Sequence, residues 1–445
     1  METLLRIFEA YPILISALIL TGVTVVPYIL YENWKSAKVQ KEIDQAKKLG
    51  LWEPVTIHPK VNRDICIGSG ACVSACPEGK ILGLVDNKSM TICASECVGH
   101  GACARACPVG AIELVFGTER RGVDIPQVYP NFETNVKRIF IAGELGGMGL
   151  IRNSTAQGKE AVGYIAQDLK DNPYKAEGVI DLLIIGAGPA GLSATLMAKK
   201  ERLNSITIER EDEAGGAILS YPRAKVVMTT PADLPLYGKV MSREISKEAL
   251  MDLWEDIIAK TGIKISTKEA MESSERKGDI FEVKTNKRVI KARYLLLCIG
   301  RRGSPRKLDV PGEKSPRVMY RLLEPERFAG HKLLVVGGGD SALETAMALA
   351  SQEGTHVTLS YRGDAFSRAK ALNRTKVSAM EEAGNLDIML NSNVVKFEGP
   401  HVYIKQKDSL VQLENDYTFV LAGGVAPNDF LKKVGIHVET KYGTR

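Results

Sequence analysis

The segment Val179 to Lys200 constrains the fold of this 445-residue chain more than any other. Its apolar residues lead into Gly186-Ala-Gly188-Pro-Ala-Gly191, and small residues follow at helical spacing. This order predicts a strand, a tight glycine turn that admits a pyrophosphate to the backbone, and a helix packed on the strand. The predicted second strand ends about twenty residues later in a carboxylate suited to a ribose hydroxyl. The pattern predicts a dinucleotide site built from Gly186, Gly188, Pro189, Ala190, Gly191 and Glu209.

A second glycine turn occurs late in the chain, again between an apolar run (Lys332 to Val336) and a helical pattern. The strand that follows it ends in a cation, Arg362, where the first unit has an acid. Guanidinium binds a 2′-phosphate bidentately, so NADP(H) is the predicted cofactor and NAD(H) the alternative. The predicted binding residues are Gly337, Gly339, Asp340, Ser341, Arg362 and Arg368. The alternative is that Arg362 and Arg368 are ordinary surface arginines.

Seven of the eight cysteines lie between Cys66 and Cys107. Such clustering in a large chain favours metal ligands over a disulfide scaffold, and hence a reducing compartment. Two runs form an internal repeat in which each third cysteine is followed by proline, Cys66 to Pro77 and Cys97 to Pro108. Each run precedes a short hydrophobic segment that predicts a strand.

This repeat resembles the bacterial two-cluster ferredoxin over about residues 56–116, in which the fourth cysteine of each run ligates the other cluster. The family's second cysteine is Ser69 in one half and His100 in the other. The resemblance implies one site with Cys66, Cys72 and Cys107, and another with Cys76, Cys97, His100 and Cys103. Ligation by Ser69, His100 or Cys93 stays open, as does the choice between [4Fe-4S] and [3Fe-4S]. A domain that keeps its shape without metal is the alternative.

Residues 137–169 resemble the segment that closes the flavin site in thioredoxin-reductase-like flavoproteins. The resemblance implies that Gly143 and Glu144 meet FAD, and that Gly216 lies beside the isoalloxazine. In the family the closing segment follows the nucleotide domains, whereas here it precedes the first glycine turn. Residues 417–427 resemble the strand that normally leads into it. We therefore expect a circular permutation, with an unrelated helix cap at Gly143 as the alternative.

Residues 10–31 carry no charge and are mostly apolar, and about twenty such residues span a bilayer as a helix. Aromatic residues lie near both ends, and five lysines follow within residues 35–48. This pattern predicts a single-pass helix in the bacterial cytoplasmic membrane with the other domains on the cytoplasmic side. A buried core helix is the alternative. The polar residues that follow predict a helical spacer.

The expected fold class is α/β, with two Rossmann-like dinucleotide-binding domains, a small α+β ferredoxin-like iron–sulfur domain and one N-terminal transmembrane helix. The expected boundaries are 1–34 for the anchor, 35–55 for the spacer, 56–116 for the iron–sulfur domain, 117–175 for the permuted FAD-closing segment, 176–325 for the FAD domain, 326–412 for the NAD(P)H domain and 413–445 for a return strand of the FAD domain. A hinge is expected at residues 310–326.

The resemblances imply hydride transfer from NAD(P)H to FAD, then single-electron transfer to the clusters and an unknown acceptor, a redox partner protein or a quinone. No catalytic acid or base is predicted. Family disulfide reductases carry a redox-active C-x-x-C that is absent after Gly110, and related bacillithiol-disulfide-reductase-like proteins have a cysteine where this chain has Ala190. Cys298 is predicted to be a core residue.

Two alternative functions remain: a thiol–disulfide reductase, and a non-catalytic relay or docking subunit of a membrane complex. The formal net charge of +6 is small for this length, and no nucleic-acid module is predicted. A homodimer is a family expectation.

Overall fold

The computed structural model describes residues 12–48, 51–52, 54, 57–97, 99–119, 122–147, 150–174, 176–221, 226–228, 232–241, 244–301 and 303–444. The chain divides into two compact units, Met1–Val115 with Arg445 and Phe116–Thr444. The helices of the described residues are α1 (Pro12–Lys48), α2 (Ala71–Ser74), α3 (Ala102–Ala106), α4 (Ile151–Asp171), α5 (Pro189–Lys200), α6 (Lys247–Thr261), α7 (Asp340–Ala350), α8 (Ala371–Glu382) and α9 (Asn428–Lys433).

The strands of the first half are β1 (Ile57–Val61), β2 (Leu82–Val85), β3 (Lys88–Thr91), β4 (Ile112–Phe116), β5 (Val123–Pro126), β6 (Ile139–Ile141), β7 (Val179–Ile185), β8 (Ser205–Ile208), β9 (Val226–Met228), β10 (Ala232–Leu234), β11 (Gly238–Val240), β12 (Glu244–Ser246) and β13 (Met271–Lys277). The remaining strands are β14 (Ile280–Thr285), β15 (Val289–Leu297), β16 (Ser304–Pro305), β17 (Val318–Met319), β18 (Lys332–Val336), β19 (His356–Tyr361), β20 (Asp387–Leu390), β21 (Ser392–Glu398), β22 (His401–Gln406), β23 (Ser409–Glu414), β24 (Tyr417–Val420), β25 (Gly424–Val425) and β26 (Val438–Lys441).

The first unit repeats one local structure, as the cysteine repeat predicts. The short helices α2 and α3 each start after a glycine in the left-handed region, Gly70 with φ 71° and Gly101 with φ 69°. Strand β1 pairs with β4, and β2 with β3. The core between the two halves contains Ile81, Leu82 and Ile112 together with cysteines of both runs.

Residues 35–48 of the predicted helical spacer are helical, and they continue one helix that begins at Pro12 and passes through Pro27. Its last turns are part of the first unit's core. Ile43 and Ala46 are buried against Val85 and Ile92, so apolar burial holds this end of α1 on the hairpin of β2 and β3.

Among the described residues, no helix combines the length and the apolar character that crossing a bilayer requires. The prediction of a transmembrane helix at about residues 10–31 therefore gains no support from the described part of α1. Residues 10 and 11 of that prediction lie outside the described residues.

The second unit contains a six-stranded sheet. Five of its strands lie in the order β13-β14-β15-β7-β8, and the sixth, β6, pairs with the last residues of β15. Leu295 pairs in parallel with Leu183 of β7 and with Ile139 of β6. These strands are buried on both faces, which explains their continuous apolar sequences. Strands β6 and β7 therefore flank β15, and Gly143 and Glu144 follow β6 at the carboxyl edge of the sheet.

The chain's last described segment packs on the core of this first sheet and adds a separate two-stranded sheet. Strand β26 pairs antiparallel with β5, so that Val438 faces Pro126 and Lys441 faces Val123. Leu431 belongs to the same buried core as Ile139. Strand β6, which precedes the first glycine turn in the sequence, pairs with β15 of this sheet, and the circular permutation stays a prediction.

The second sheet is parallel, in the order β17-β24-β18-β19-β20, and the antiparallel strands β21, β22 and β23 pack against it. The predicted assignment of residues 413–445 to the first nucleotide domain is wrong for β24. Thr418 and Phe419 are fully buried in the second sheet, where β24 pairs with β17 and β18. The return begins only after β25.

Residues 310–326, the predicted hinge, include β17, which pairs with β24 of the second sheet. The Glu313 carboxylate accepts hydrogen bonds from the backbone of Leu308 (2.6 Å) and Asp309 (2.7 Å) and from the Tyr320 hydroxyl (2.9 Å). Burial and this carboxylate raise the pKa of Tyr320 to about 12. Strands β16 and β25, which follow β15 and β24 respectively, pair antiparallel with each other.

Candidate cofactor sites

The first glycine turn is shaped by close backbone contacts. A Cβ atom added at Gly191 would lie 1.8 Å from the carbonyl oxygen of Gly186, and one added at Gly186 would lie 2.6 Å from the carbonyl oxygen of Cys298. Helix α5 starts at Pro189, directly after Gly188. The turn thus places a helix N-terminus, where backbone N–H groups attract anions, at the carboxyl edge of β7 and β15.

Two segments distant in sequence lie against this turn. The Cβ position of Gly143 is 3.0 Å from the Ala190 side chain, and its N–H donates to Gln157 of α4 at 2.8 Å. The Cβ position of Gly216 is 3.0 Å from Cα of Gly188. The structure therefore brings together Gly143, Gly186, Gly188, Ala190, Gly191 and Gly216, as the flavoprotein resemblance implies.

Glu209 also stabilises the first glycine turn, which the sequence did not predict. It is buried, and one carboxylate oxygen accepts from the Ala187 N–H at 2.6 Å while the other accepts from the Glu211 N–H at 3.0 Å. An ionised carboxylate accepts about four hydrogen bonds, so Glu209 keeps capacity for a ribose hydroxyl. The same side chain thus holds the glycine turn and remains available to the predicted cofactor.

Arg301 is a second residue that sequence reasoning missed at this edge. It follows β15 by a few residues and donates from Nη2 to the carbonyl oxygen of Asp124 at 3.1 Å. Burial lowers the pKa of Arg301, whereas the nearby Glu144 and Asp124 raise it. The usable signal was position, since ligands bind outside the carboxyl ends of parallel strands.

Cys298 lies in the core, as predicted. It packs with apolar residues of the first sheet and of α5, among them Ile184, Ala190 and Leu296, and burial raises the pKa of its thiol. It is the only cysteine of the sequence after Cys107. A buried neutral thiol is a poor nucleophile, so Cys298 is not suited to thiol–disulfide exchange.

The second glycine turn is contacted by a backbone carbonyl group and by an aromatic ring. A Cβ atom added at Gly337 would lie 2.4 Å from the carbonyl oxygen of Leu421, and one added at Gly338 would lie 2.3 Å from the Tyr361 ring. No described atom lies within 4 Å of the corresponding position at Gly339. Open space therefore remains where α7 starts.

The other predicted residues of this second site lie on or near the loop that connects β19 to α8. Asp340 accepts from the Lys370 N–H at 2.8 Å and from the Asn373 amide at 2.7 Å, so its carboxylate holds the loop that follows β19. Ser341 is half-buried on the next position of α7. Arg362 and Arg368 are exposed on the loop itself, which suits two cations that meet a 2′-phosphate from solvent.

The first predicted cysteine set lines one cavity in the first unit, together with Ser69. The cavity walls include Cys66, Cys72 and Cys107. The Ser89 N–H donates to Cys66 Sγ at 3.4 Å, and the Ala111 N–H donates to Cys107 Sγ at 3.2 Å. Backbone donors aimed at sulfur stabilise thiolates and tune iron–sulfur potentials, so this set fits a cluster.

The second predicted cysteine set has the carboxylate of Glu78 nearby. Burial, with smaller contributions from the neighbouring Cys103, Cys76 and Glu78, raises the pKa of Cys97 to about 11. Burial also raises the pKa of Cys103. A bound cation would reverse this effect and favour the thiolates. His100 approaches Glu78, with Nε2 3.8 Å from Oε1.

Cys93 belongs to neither set, since it packs with Ile43 and Ile92 beneath α1. Among the described residues, no three His, Cys, Asp or Glu side chains converge as ligands of a single metal ion. A multi-iron cluster holds its ligands farther apart than one ion does. The donor chemistry, three thiols per site with amide donors at sulfur in the first site, fits iron–sulfur binding.

Two protein families match the chain. The pyridine nucleotide-disulphide oxidoreductase family matches residues 183–444, and the 4Fe-4S dicluster domain matches residues 58–108. The first match begins after the predicted closing segment at residues 137–169. Both matches confirm the predicted fusion of a thioredoxin-reductase-like flavoprotein with a ferredoxin domain.

Curated relatives match part of the chain. A ferredoxin–NADP reductase of Ignicoccus hospitalis is 29% identical over 269 residues, which are 59% of this chain and 83% of that protein. The bacilliredoxin reductase Bdr of Bacillus subtilis is 24% identical over 267 residues, 59% of this chain and 82% of that protein. The solved bacillithiol disulfide reductase Bdr of Staphylococcus aureus shares the fold, with a TM-score of 0.53 at 24% identity over 59% of this chain and 81% of that chain.

Proposed function

The chain belongs to the pyridine nucleotide-disulphide oxidoreductase family and is an NAD(P)H-dependent flavin oxidoreductase, and from this premise we propose that it passes electrons from NAD(P)H through FAD to iron–sulfur clusters of its own first unit. An external acceptor takes the electrons from there. The observation that carries the proposal is the cavity walled by Cys66, Cys72 and Cys107, which stands in the same chain as the enclosed first glycine turn.

The chain's own residues bind and position rather than donate or accept protons. The N-terminus of α5 and the first glycine turn hold the FAD pyrophosphate, and Glu209 holds a ribose. The second turn holds NAD(P)H, with Arg362 and Arg368 on the 2′-phosphate of NADPH. When bound, FAD links the two-electron chemistry of the nicotinamide to one-electron transfer.

The names of the curated relatives support a ferredoxin-type acceptor. Several of them are called ferredoxin–NADP reductases, which act on a ferredoxin by name. This chain matches the 4Fe-4S dicluster domain within its own sequence. The simplest assignment makes that domain the first electron acceptor of the flavin.

An anaerobic NADPH titration of the purified full chain tests this assignment, with absorbance for the flavin, EPR for the clusters, and iron and flavin quantified. Loss of oxidised flavin absorbance together with new or altered cluster signals is expected. Cys107→Ser should lower the iron content and change the EPR signal, whereas the matched variant Cys93→Ser should leave both unchanged because Cys93 lies outside both sets. Flavin reduction by a protein that binds no iron after reconstitution would remove the proposal.

The similarity to bacilliredoxin reductase and bacillithiol disulfide reductase favours one second candidate, disulfide reduction. The buried Cys298 gives no support for a protein thiol in that reaction. NADPH oxidation driven by a small disulfide under anaerobic conditions, in the absence of iron, would favour this candidate over electron transfer to clusters.

Membrane attachment through α1 is a separate proposal. The first half of this helix exposes large apolar side chains, among them Ile13, Leu20, Val23, Val26 and Leu30. Contiguous exposed apolar surface marks contact with a membrane or a protein. We expect the full chain in the cytoplasmic membrane fraction of a bacterial host, and a variant that starts after residue 31 in the soluble fraction. A full chain that remains in the soluble fraction would rule the attachment out, and with it a lipid-soluble quinone as the favoured acceptor.

A further inference from the structure

One guanidinium nitrogen of Arg301 is buried and makes no hydrogen bond to the described residues. Its Nη2 donates to the Asp124 carbonyl oxygen, but its Nη1 is buried from solvent and has no hydrogen-bond partner among the described residues. A buried donor that lacks an acceptor is costly, and more so when it carries charge. Native proteins keep such a group where a ligand or an ordered water supplies the acceptor.

The position of Arg301 identifies the candidate ligand. Gly300 and Arg301 follow the carboxyl end of β15, and the Cys298 carbonyl oxygen contacts the Cβ position of Gly186 in the first glycine turn. Glu144, at the carboxyl end of β6, is near enough to raise the pKa of Arg301. The guanidinium therefore belongs to the edge of the sheet at which the proposed FAD site lies.

We propose that Arg301 binds FAD, with Nη1 donating to an oxygen of its pyrophosphate. The pyrophosphate is the part of FAD that is anionic in both the oxidised and the reduced state, so it is the acceptor that suits a permanently cationic side chain. Arginine is suited to phosphate oxygens because its planar fork makes charge-assisted hydrogen bonds. Helix α5 offers neutral backbone donors to the same group, and Arg301 adds the full positive charge that the glycine turn lacks.

The inference rests on the proposed FAD site, and a binding experiment separates the two. FAD is removed from the full chain, and rebinding is measured by the quenching of flavin fluorescence in the parent protein, in Arg301→Gln and in Arg276→Gln. Arg276 is an exposed arginine at the outer strand β13 and serves as the matched control. We expect the Kd for FAD to rise about 10- to 100-fold in Arg301→Gln, as loss of a charge-assisted hydrogen bond requires, and to be unchanged in Arg276→Gln.

Two further measurements locate the contact on the FAD molecule. ADP, which carries the pyrophosphate without the isoalloxazine, should compete with FAD more weakly in Arg301→Gln by a similar factor. The midpoint potential of the bound flavin should stay at the parent value, because a pyrophosphate contact does not change with flavin reduction. An unchanged affinity for ADP, or a potential that shifts with the substitution, would overturn the assignment to the pyrophosphate.

The outcomes distinguish the inference from the function on which it rests. A parent protein that binds no FAD refutes the proposed function itself. A parent protein that binds FAD no more tightly than Arg301→Gln refutes only the role of Arg301. Arg301→Lys keeps the charge without the planar fork and gives a second test if the glutamine variant does not fold. Its Kd for FAD should rise several-fold above the parent value, and a Kd equal to that of the parent would contradict the role of the guanidinium.

Discussion

The two glycine turns of the second unit follow one sequence pattern but differ in what lies against them. At the first turn, Gly143 and Gly216 approach from segments on either side of it in the sequence, and protein backbone surrounds Gly186 and Gly191. At the second turn, the Leu421 carbonyl oxygen lies against Gly337 in a similar way, but the Tyr361 ring covers Gly338 and the space beside Gly339 is open among the described residues. The two turns therefore differ in the extra backbone segments that lie against the first turn, and in the side chain and open space beside the second turn.

This difference fits the two cofactors that the turns are proposed to hold. FAD stays bound through many turnovers, and backbone contacts from distant segments close its site permanently. NAD(P)H must enter and leave in each turnover, and a ring that stacks on Phe366 with a centroid distance of 5.6 Å can move by side-chain rotation. The enclosed turn should therefore be intolerant of added atoms, and the open turn tolerant.

The largest effect is expected at Gly158, which lies on α4 opposite α5. A Cβ atom there would lie 2.1 Å from the carbonyl oxygen of Ala190, so Gly158→Ala must push α4 away from the first turn. The clash with backbone outweighs the higher helix propensity of alanine, which is worth about 1 kcal/mol. We expect a loss of stability of about 3 kcal/mol, the upper end for overpacking, and purification without FAD. Thermal unfolding and the flavin-to-protein absorbance ratio measure both, and a variant that retains FAD at the parent melting temperature would show that the turn is not enclosed.

The next largest effect is expected at the open turn, in the choice of nucleotide. Arg362→Gln removes an exposed cation that we place at the 2′-phosphate, so kcat/KM for NADPH should fall about 10- to 100-fold. The value for NADH should change less than about twofold, because NADH lacks the phosphate, and flavin content should stay the same. Steady-state kinetics with an artificial electron acceptor measure the ratio. An equal loss for both nucleotides would mean that Arg362 supports the loop and not the phosphate.

A smaller effect is expected from a methyl group in the open space of the second turn. Gly339→Ala meets no described protein atom within 4 Å, so the stability and the FAD content should remain at parent values. The KM for NADPH should nonetheless rise several-fold, because the space beside the N-terminus of α7 is where a pyrophosphate approaches the backbone. A KM at the parent value would place the nucleotide elsewhere.

The sequence predicted both glycine turns because the strand, the turn and the helix are contiguous, and local sterics determine them. It also predicted that Gly143 belongs with the first turn, but this came from a family resemblance rather than from residue spacing. The parallel pairing of Ile139 with Leu295 joins strands that are distant along the chain, and no local pattern encodes it. The two cysteine sets followed from the resemblance that their repeat carries.

The errors concern elements whose partners are distant or absent from the pattern. The sequence of Tyr417–Val420 predicts an apolar strand but not the sheet to which it belongs. Its pairing with β18 places it in the second sheet. The polar helical spacer predicted after residue 34 is helical at residues 35–48, but the sequence did not indicate that its narrow apolar stripe of Ile43 and Ala46 packs on the hairpin. Arg301 was missed because its only sequence signal, a position just after an apolar strand, was not used, and its significance comes from the burial of one nitrogen atom.

The smallest predicted effect tests the same helix as the largest. Gly163 lies on α4 after Gly158, and no described atom outside the helix's own backbone lies within 4 Å of its Cβ position. Gly163→Ala should therefore raise the free energy of unfolding by about 0.5–1 kcal/mol, since alanine loses less backbone entropy than glycine in a helix interior. Flavin content and kinetics should equal those of the parent. Denaturant unfolding of the two glycine variants side by side isolates the contact with Ala190, because both substitutions add the same methyl group to the same helix. If Gly163→Ala destabilised the protein as much as Gly158→Ala, the loss would come from α4 itself, and the comparison of an enclosed with an open turn would lose its physical basis.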